Sequence, residues 1–503
     1  MMSAVILTSS DTQALHQLLA VLTSGALPPT DRPAVIAPPH FLSFISTLAV
    51  HPILTNRAKN VDRATAATLS LRYLKIVLHT VGPTKSGLSE AFKFESTTSL
   101  ARNGRTSRRR TTEENLAKED SEDIENDLAQ AASMWTRGED FWHVVGWAFN
   151  CSVSYNRRWE VWRTWLDYII NVLESDWHLR LSDGQDALSQ SMILGFIKGN
   201  KASGAEKRIL RAVFADGQRR SVYEFREVWR NETRELRKDD DVKKVERRVD
   251  IDADDYGDYF EEENEADLAE TSSVAASRQS PPAKNSSGGI VNGAEELGGS
   301  DALHLRLRLL SLLSHVAVAL PRSFIPIRSL YDLYVDQIRP LPLPTFFVIM
   351  SPAGLRGFDI SAASSITQCI LLTIISANAP QPSNDNLSQE VLEACYLPWP
   401  ARTQNTVDNS KVSLCVETLL RLLDRAGALE GTHALLAAAE KGVQERKAKG
   451  RDKKGKRGST SGGESGEMTW LEGSSQRILA VIKMAIARIA RASDDQDNDM
   501  HDT

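Results

Sequence analysis

Residues 139–177 read EDFWHVVGWAFNCSVSYNRRWEVWRTWLDYIINVLESDW and contain six of the ten tryptophans in this 503-residue chain. On a helical wheel, seven apolar residues from the second half of this stretch fall within about 100° of one another, which is the stripe of an amphipathic helix. They are Trp159, Trp162, Leu166, Ile169, Ile170, Leu173 and Trp177. Because three tryptophans share this stripe with leucine and isoleucine, we predict that they lie in a hydrophobic core. Asn156 is the predicted N-cap.

The residues before this helix predict a second helix, joined to the first by a short turn. Glu139 and Asp140 stand in its first turn, where the helix dipole favours acidic side chains. Residues 151–155 are so short a connection that an antiparallel helical hairpin is the simplest arrangement. A glycine inside a helix costs about 1 kcal/mol relative to alanine, so Gly146 indicates a close backbone approach or a kink. His143, between the apolar and polar arcs, is predicted to be a surface histidine.

Two tryptophans stand at the edges of their stripes and not at the centre. Trp142 and Trp165 are therefore the candidate exposed anchors for a partner. The alternative interpretation of the whole cluster is an aromatic surface that docks a partner or stacks bases. The arc that includes Trp165 covers about half of the helix circumference, which predicts an inner helix covered on two sides.

The rest of the chain repeats helical periodicity and shows no strand-like alternation. Further helices are predicted over residues 11–25, 40–52, 62–80, 186–197, 205–214, 221–237, 302–320, 329–338, 362–377, 412–425, 432–444 and 475–492. Helix pairs recur about every 30 to 45 residues, which is near the spacing of HEAT or armadillo arrays. The predicted fold class is all-α, an irregular HEAT/armadillo-like array of helical pairs with long, disordered, charged insertions.

Shifts in composition divide the chain into alternating helical and charged segments. The helical segments are 1–95, the Trp-rich 131–238, 301–440, and a terminal helix at 468–492 that packs back on the body. The predicted charged segments are a mobile insertion at 96–130, a disordered acidic and low-complexity linker at 239–300, a basic linker at 441–467 and an acidic tail at 493–503. The linker at 239–300 is predicted to be disordered because it cannot bury enough apolar surface to offset the entropy cost of ordering it.

Two basic clusters are the candidate contacts for nuclear import or for phosphate groups. The first comprises Arg102, Arg105, Arg108, Arg109 and Arg110, and the second comprises Arg446, Lys447, Lys449, Arg451, Lys453, Lys454, Lys456 and Arg457. Nuclear import and nucleic-acid contact are compatible interpretations, and a solvated loop is the third. Residues 250–270 carry eleven acidic and no basic side chains, together with three aromatic residues. Such a segment either binds basic partners, such as histones or ribosomal proteins, or serves as a solubilising linker.

Composition and cysteine usage indicate a soluble protein of a reducing compartment. Hydrophobic residues make up 41% and charged residues 25% of the chain, and the net charge is −6. The four cysteines lie far apart, which disfavours a disulfide framework or a zinc module. No secretory signal or transit peptide is recognisable at the N-terminus, and the longest apolar runs are shorter than the roughly 20 residues of a spanning helix. We expect a nuclear protein that does not associate with membranes.

No local signature of catalysis or of cofactor or metal binding occurs in the sequence. The P-loop, GxSxG and HExxH patterns are absent, and the ten histidines are dispersed. No catalytic, cofactor-binding or metal-binding residue is therefore assigned. The leading hypothesis is a non-enzymatic scaffold or adaptor that binds other proteins in a nuclear complex, in chromatin or genome maintenance or in ribosome assembly. The alternatives are a nucleic-acid-binding module that uses the basic arms and an enzyme with a non-local active site.

Overall fold

The computed structural model describes residues 11–25, 35–94, 128–200, 204–234, 293–382, 386–451 and 463–501. Within these ranges the protein is mostly helical and contains no strand, so the all-α prediction is confirmed. One isolated antiparallel bridge joins Ile375 to Ala401. The predicted insertion and acidic linker fall largely outside the described residues, as do residues 452–462 of the predicted basic linker. Arg102, Arg105, Arg108, Arg109, Arg110, Lys453, Lys454, Lys456 and Arg457 also lie outside them.

The α-helices are numbered in chain order over the described residues. They are α1 (Asp11–Gly25), α2 (Pro39–Val50), α3 (Val61–Val81), α4 (Leu88–Ala91), α5 (Met134–Arg137), α6 (Phe141–Ser154), α7 (Asn156–Asp183), α8 (Gln185–Leu188), α9 (Met192–Gly199), α10 (Ala205–Val213), α11 (Arg219–Glu224), α12 (Gly299–Ala319), α13 (Ile327–Ile338), α14 (Leu343–Met350), α15 (Ile360–Ile374), α16 (Gln389–Val391), α17 (Thr406–Arg425), α18 (His433–Arg451) and α19 (Gly463–His501). Short 3₁₀ helices span Pro52–Leu54, Glu295–Leu297 and Gly354–Gly357, and a π-helical turn spans Leu392–Tyr396.

The Trp-rich stretch forms the predicted helix pair at the centre of the core. Helices α6 and α7 pack against each other and are separated by Tyr155 alone. Trp159, Trp162 and Trp177 are at most 8% exposed, so their prediction as core residues is confirmed. Asn156 begins α7 but makes no side-chain capping bond, because Tyr155 occupies the cap position.

Gly146 marks a close approach between α6 and the segment that follows α11. A Cβ atom added to this glycine would lie 2.3 Å from Cγ of Phe225, which is fully buried. Glycine is needed here despite its low helix propensity, because the phenylalanine ring occupies the space that a side chain would fill. This observation explains the unfavourable residue that the sequence places inside α6.

The two compact units of the chain are Met1–Thr233 together with Asn292–Thr503, and Arg234–Val291. Of the second unit, only Arg234 is among the described residues. Inside the first unit, α12 packs against α6, α7 and α10, and one continuous core runs from Leu15 to Ile482. The helices on the two sides of the acidic segment therefore share one core.

Arg306 of α12 secures this packing with a buried charge. Its guanidinium donates to the backbone oxygens of Val213 and Ala215, at the C-terminal end of α10, and lies 4.1 Å from the ring centre of Phe149. Carbonyl groups at a helix C-terminus carry partial negative charge, which stabilises a cation there. Complete burial nevertheless lowers the pKa of Arg306 to about 9.

Two predicted helices are shorter than their periodicity suggested. The prediction over 186–197 is divided between α8 and α9, because the Asp176 carboxylate accepts a hydrogen bond from the Met192 amide at 2.8 Å and starts a new helix there. The prediction over 221–237 is wrong over 225–234, where the helix gives way to turns, and residues 235–237 lie outside the described residues. Glu232 is drawn into a buried ion pair with Arg158, and this tertiary contact overrides the local helical pattern.

Several predicted boundaries between helical and charged segments lie inside helices of the structure. Residues 293–300 of the predicted acidic linker include a 3₁₀ turn and the start of α12, and α18 continues to Arg451 through the first part of the predicted basic linker. Helix α19 packs on α17 and α18, and its residues Ile478 and Ile482 are fully buried. Within the described ranges, α12 alone is long and apolar enough to cross a membrane, and 67% of its most apolar window is buried inside the protein.

Candidate functional site: an arginine-lined groove

A cavity of about 590 Å³ opens where α14, α17, α19 and the turn after α14 meet. We call it the arginine groove. Its charged residues are Arg356, Glu417, Arg421, Arg425 and Arg477, and its remaining lining consists of Phe347, Met350, Ser351, Pro352, Ala353, Leu414 and Thr418. Four guanidinium groups and one carboxylate leave this small volume with a formal excess of three positive charges.

Helix α17 supplies three of these charges from one face. Glu417, Arg421 and Arg425 follow one another at four-residue spacing, which places their side chains in a row along the helix. The other faces of α17 are occupied by α14, α15, α18 and α19. Arg421 and Arg425 lie in the last turns, where the helix dipole favours cations. The row is therefore the polar edge of an otherwise core helix.

The turn after α14 contributes Arg356 to the lining of the groove. The Ser351 hydroxyl accepts a hydrogen bond from the Gly354 amide at 3.1 Å, and a Cβ atom on Gly354 would lie 2.2 Å from the backbone oxygen of Val348. Glycine is thus required for the tight 3₁₀ helix that carries Arg356. The Thr418 hydroxyl donates to the backbone oxygen of Met350 at 2.7 Å and ties α14 to α17.

Glu417 organises two of the arginines from inside the groove wall. This residue is 5% exposed, and its Oε1 accepts hydrogen bonds from Nε of Arg477 at 2.8 Å and from Nε of Arg421 at 3.1 Å. Within the described part of the chain, Oε2 of Glu417 and Nη2 of Arg477 are buried without a hydrogen-bond partner. Arg421 is held through Nε, and no hydrogen bond to its terminal nitrogens occurs within the described ranges, so these nitrogens can donate to a ligand.

Arg356 and Arg425 are exposed, and no hydrogen bond or ion pair to them occurs among the residues that the structure describes. A guanidinium group presents donors in a planar fork that matches carboxylate and phosphate oxygens. The Ser351 and Thr418 hydroxyls instead donate to backbone oxygens, those of Val348 and Met350. The groove is therefore equipped to recognise an anion.

Comparison with known proteins gives no relative from which a function could be transferred. The sequence matches no family model, and no curated protein or solved structure matches it at a significant level.

The two tryptophans predicted as exposed anchors lie fully inside the protein. The indole Nε1 of Trp142 donates to the backbone oxygen of Phe196 at 3.1 Å, and that of Trp165 donates to Oγ of Ser46 at 3.2 Å. Both rings are 0% exposed, so this prediction is corrected. A residue at the edge of an apolar stripe is exposed only on a surface helix, whereas α6 and α7 are covered on more than one side. His143 is likewise buried, 4% exposed, and not on the helix surface.

Part of the second basic cluster is structural. Arg446 is fully buried in α18 and donates through Nη1 to the backbone oxygens of Leu397 at 2.9 Å and Trp399 at 3.2 Å. Burial lowers the pKa of Arg446 to about 10. Lys449 donates to the backbone oxygen of Ala401 at 2.8 Å. Arg446 is therefore withdrawn as a candidate contact, while Lys447 stays half-buried at the surface, and the side chain of Arg451 lies outside the described residues.

The arginine groove was not predicted from the sequence. Its charges come from segments around residues 356, 417–425 and 477, which lie about 50 to 60 residues apart, so no local signature links them. One signal was available on α17, where a Glu, Arg, Arg row at four-residue spacing occurs on a helix with apolar residues on its other faces. Among the described residues, no group of three His, Cys, Asp or Glu side chains is placed to hold a metal ion.

Proposed function

We propose that this protein is a non-enzymatic adaptor in a nuclear multiprotein complex and that it binds an acidic partner segment in the arginine groove. The observation that carries the proposal is that Arg356 and Arg425 line one cavity with no carboxylate partner among the described residues. An arginine without a partner in a concave site stays hydrated until a complementary anion binds and replaces the water around its guanidinium group. Binding of a partner segment at a preformed helical surface is the function expected of an adaptor.

The proposed architecture is an irregular array of helical pairs of the HEAT or armadillo kind. Consecutive or nearly consecutive helices pack on each other at several places, as α2 does on α3, α6 on α7, α13 on α15 and α17 on α18. Arrays of this kind present extended surfaces to partners and tolerate long insertions between pairs. This arrangement supports a scaffold that can hold more than one protein.

The proposed compartment is the nucleus. Seven cations of the second basic cluster remain after Arg446 is withdrawn, and one of these, Lys449, also donates to the backbone oxygen of Ala401. Such a cluster is typical of import signals. The acidic block at 250–270 is complementary in charge to basic proteins, such as histones or ribosomal proteins. We therefore propose a role in chromatin maintenance or ribosome assembly.

The adaptor proposal is tested by purifying tagged protein from nuclear extract. The groove variant, Arg356→Gln with Arg425→Gln, is compared with a control variant, Arg322→Gln with Arg402→Gln, which removes the same charge from exposed arginines outside the cavity. We expect stoichiometric partners with wild type and control, and at least one partner lost from the groove variant. Recovery of wild type as a lone species at physiological salt would contradict the adaptor function.

The second candidate function, nucleic-acid binding by the basic arms, is favoured by the two arginine- and lysine-rich clusters of the sequence. It predicts binding to duplex or single-stranded probes that weakens steeply as salt rises, because each neutralised phosphate releases counterions. Removal of both clusters should abolish that binding, whereas the groove variant should leave it unchanged. No binding at low salt would dismiss this candidate.

A further inference from the structure

We propose that the occupant of the arginine groove is a phosphorylated serine or threonine of a partner protein, flanked by a small apolar residue. This inference rests on the adaptor function proposed above and names the chemistry of the partner segment.

The charge of the groove exceeds what one carboxylate would balance. Glu417 engages Arg421 and Arg477, and the formal excess of three positive charges remains on the lining. A phosphomonoester carries about 1.5 to 2 negative charges and three acceptor oxygens, whereas a carboxylate carries one charge and two oxygens. A single phosphate therefore neutralises about half to two-thirds of the excess, whereas an isolated Asp or Glu neutralises about one third.

The available arginines reach the cavity from two separate elements. Arg421 and Arg425 stand one helical turn apart on α17, and Arg356 stands on the 3₁₀ turn after α14. Donors on different elements can share the oxygens of one tetrahedral group, and each planar fork can bind it with two hydrogen bonds. Glu417 holds Arg421 in place before the ligand arrives, which reduces the entropy lost on binding.

The rim of the groove offers apolar surface beside the charges. Pro352 is half-buried and Ala353 is exposed, and both line the cavity next to Arg356. A small apolar side chain adjacent to the phosphorylated residue would cover this surface. A cavity of about 590 Å³ holds a phosphorylated side chain with one neighbour and is small for a folded domain.

The aromatic ring in the groove favours a peptide over a nucleic acid. Single-stranded nucleic acids are held by bases stacked on exposed aromatic rings as well as by basic groups. The Phe347 ring is covered by the Arg477 guanidinium, 5.5 Å from its centre, and packs on Trp470 at 4.9 Å between ring centres. This ring is therefore engaged within the protein, and the groove recognises the anion without a stacking platform.

The test measures binding of the full-length protein to a peptide array with phosphoserine or phosphothreonine fixed at the centre and the flanking positions varied. Peptides that bind are then titrated in solution in three forms, with the central residue phosphorylated, unphosphorylated or replaced by Asp. We expect the phosphorylated form to bind at least about tenfold more tightly than either other form. The groove variant should lose about tenfold or more of that affinity, and the control variant less than about twofold.

Unchanged thermal unfolding of both variants shows that the effect belongs to the groove, because all four substituted arginines are exposed. If no peptide on the array binds in a phosphorylation-dependent way, the inference is overturned. It is also overturned if the Asp form binds equally well, or if a single-stranded oligonucleotide displaces the peptide and binds more tightly than it does.

Failure of this inference is distinguishable from failure of the adaptor function. Nuclear extract is treated with phosphatase before the purification described above. If partners still depend on Arg356 and Arg425 but not on phosphorylation, the adaptor function stands and the phosphate is excluded. If partner recovery falls after phosphatase treatment of the extract, and falls equally with the groove variant, the phosphate-binding inference is supported.

Discussion

Arg158 and Glu232 form an ion pair in the interior of the protein, with Nε of the arginine 2.7 Å from Oε2 of the carboxylate. Both side chains are at most 1% exposed. The guanidinium lies 4.9 Å from the ring centre of Trp162 and 5.6 Å from that of Trp229. Glu232 also accepts a hydrogen bond from the Val228 amide at 3.1 Å. The pair thus anchors the non-helical segment after α11 to the tryptophans of α7.

Glu232→Ala is expected to destabilise the protein by about 3–5 kcal/mol, because it leaves the Arg158 charge buried without a counter-ion. The double variant Arg158→Met with Glu232→Leu should recover most of this loss, since apolar residues of similar volume need no counter-ion. Because burial raises the pKa of Glu232 to about 7, the carboxylate is fully ionised only above that pH. Urea-induced unfolding of the two variants and wild type at about pH 8 therefore measures both quantities.

A matched control is provided by the exposed pair of Arg163 and Asp301, whose side chains are 43% and 58% exposed. Asp301→Ala should change the free energy of unfolding by less than about 1 kcal/mol. An equal effect of Glu232→Ala and Asp301→Ala would show that burial does not govern the strength of these pairs.

His51 makes the stability of this region dependent on pH. Burial, and secondarily the positive charge of Arg158, lower the pKa of His51 to about 4. The ring stands 4.9 Å from the Trp229 ring, and Nδ1 accepts a hydrogen bond from the Ile53 amide at 3.3 Å. An unfolded-state histidine has a pKa of about 6.5, so between these values the unfolded chain binds more protons than the folded one.

The stability contributed by neutral His51 is therefore complete above about pH 6.5 and is lost as pH falls towards 4. Relative to His51→Asn, which keeps a side-chain acceptor for the Ile53 amide, wild type should lose about 2 kcal/mol between pH 7 and pH 5. Urea titrations of both proteins at the two pH values give this difference. Burial also raises the pKa of Glu232 to about 7, but that carboxyl is present in both proteins and its effect cancels. Parallel pH profiles for the two proteins would contradict the assignment.

Gly146→Ala is expected to destabilise the protein by about 1–3 kcal/mol, although alanine is the better helix former. The reason is the Phe225 ring, whose Cγ would lie 2.3 Å from the added Cβ atom. Gly195→Ala in α9 is the control, because its Cβ atom would meet nothing within 4 Å. The Gly195→Ala variant should gain up to about 1 kcal/mol in the free energy of unfolding. Thermal unfolding of the two variants shows whether each is stabilised or destabilised. A stabilised Gly146→Ala variant would show that the packing at Phe225 is loose.

The sequence predicted helices best where one apolar stripe decided the outcome, as in α7 around Trp162. It failed where a contact from a distant segment was stronger than local periodicity, as the Glu232 pair shows after α11. It also misplaced Trp165 at a surface, because a helical wheel shows where apolar residues lie but not how many neighbours cover them. The arginine groove was beyond reach for the same reason, since Arg356 and Arg477 meet only in the folded chain.

Arg446 is a structural cation within the run of basic residues that we propose as an import signal. Helix α18 approaches the backbone oxygen of Leu397 so closely at Gly442 that a Cβ atom there would lie 1.8 Å from it, and Arg446 then donates to the same oxygen one turn later. Arg446→Gln should lower the free energy of unfolding by about 2–3 kcal/mol, because buried carbonyl groups lose their donor. Lys447→Gln, at the half-buried neighbouring position, should change it by less than about 0.5 kcal/mol.

Nuclear import should depend on the other cations of this run and not on Arg446. Joint replacement of Lys453, Lys454, Lys456 and Arg457 by glutamine is expected to leave a fluorescently tagged protein in the cytoplasm, because the proposed import cluster loses four of its seven remaining cations. The Arg446→Gln variant, assayed at a temperature at which it is folded, should still enter the nucleus. If Arg446→Gln were excluded from the nucleus while its unfolding free energy matched wild type, the buried arginine would belong to the import signal and not to the core.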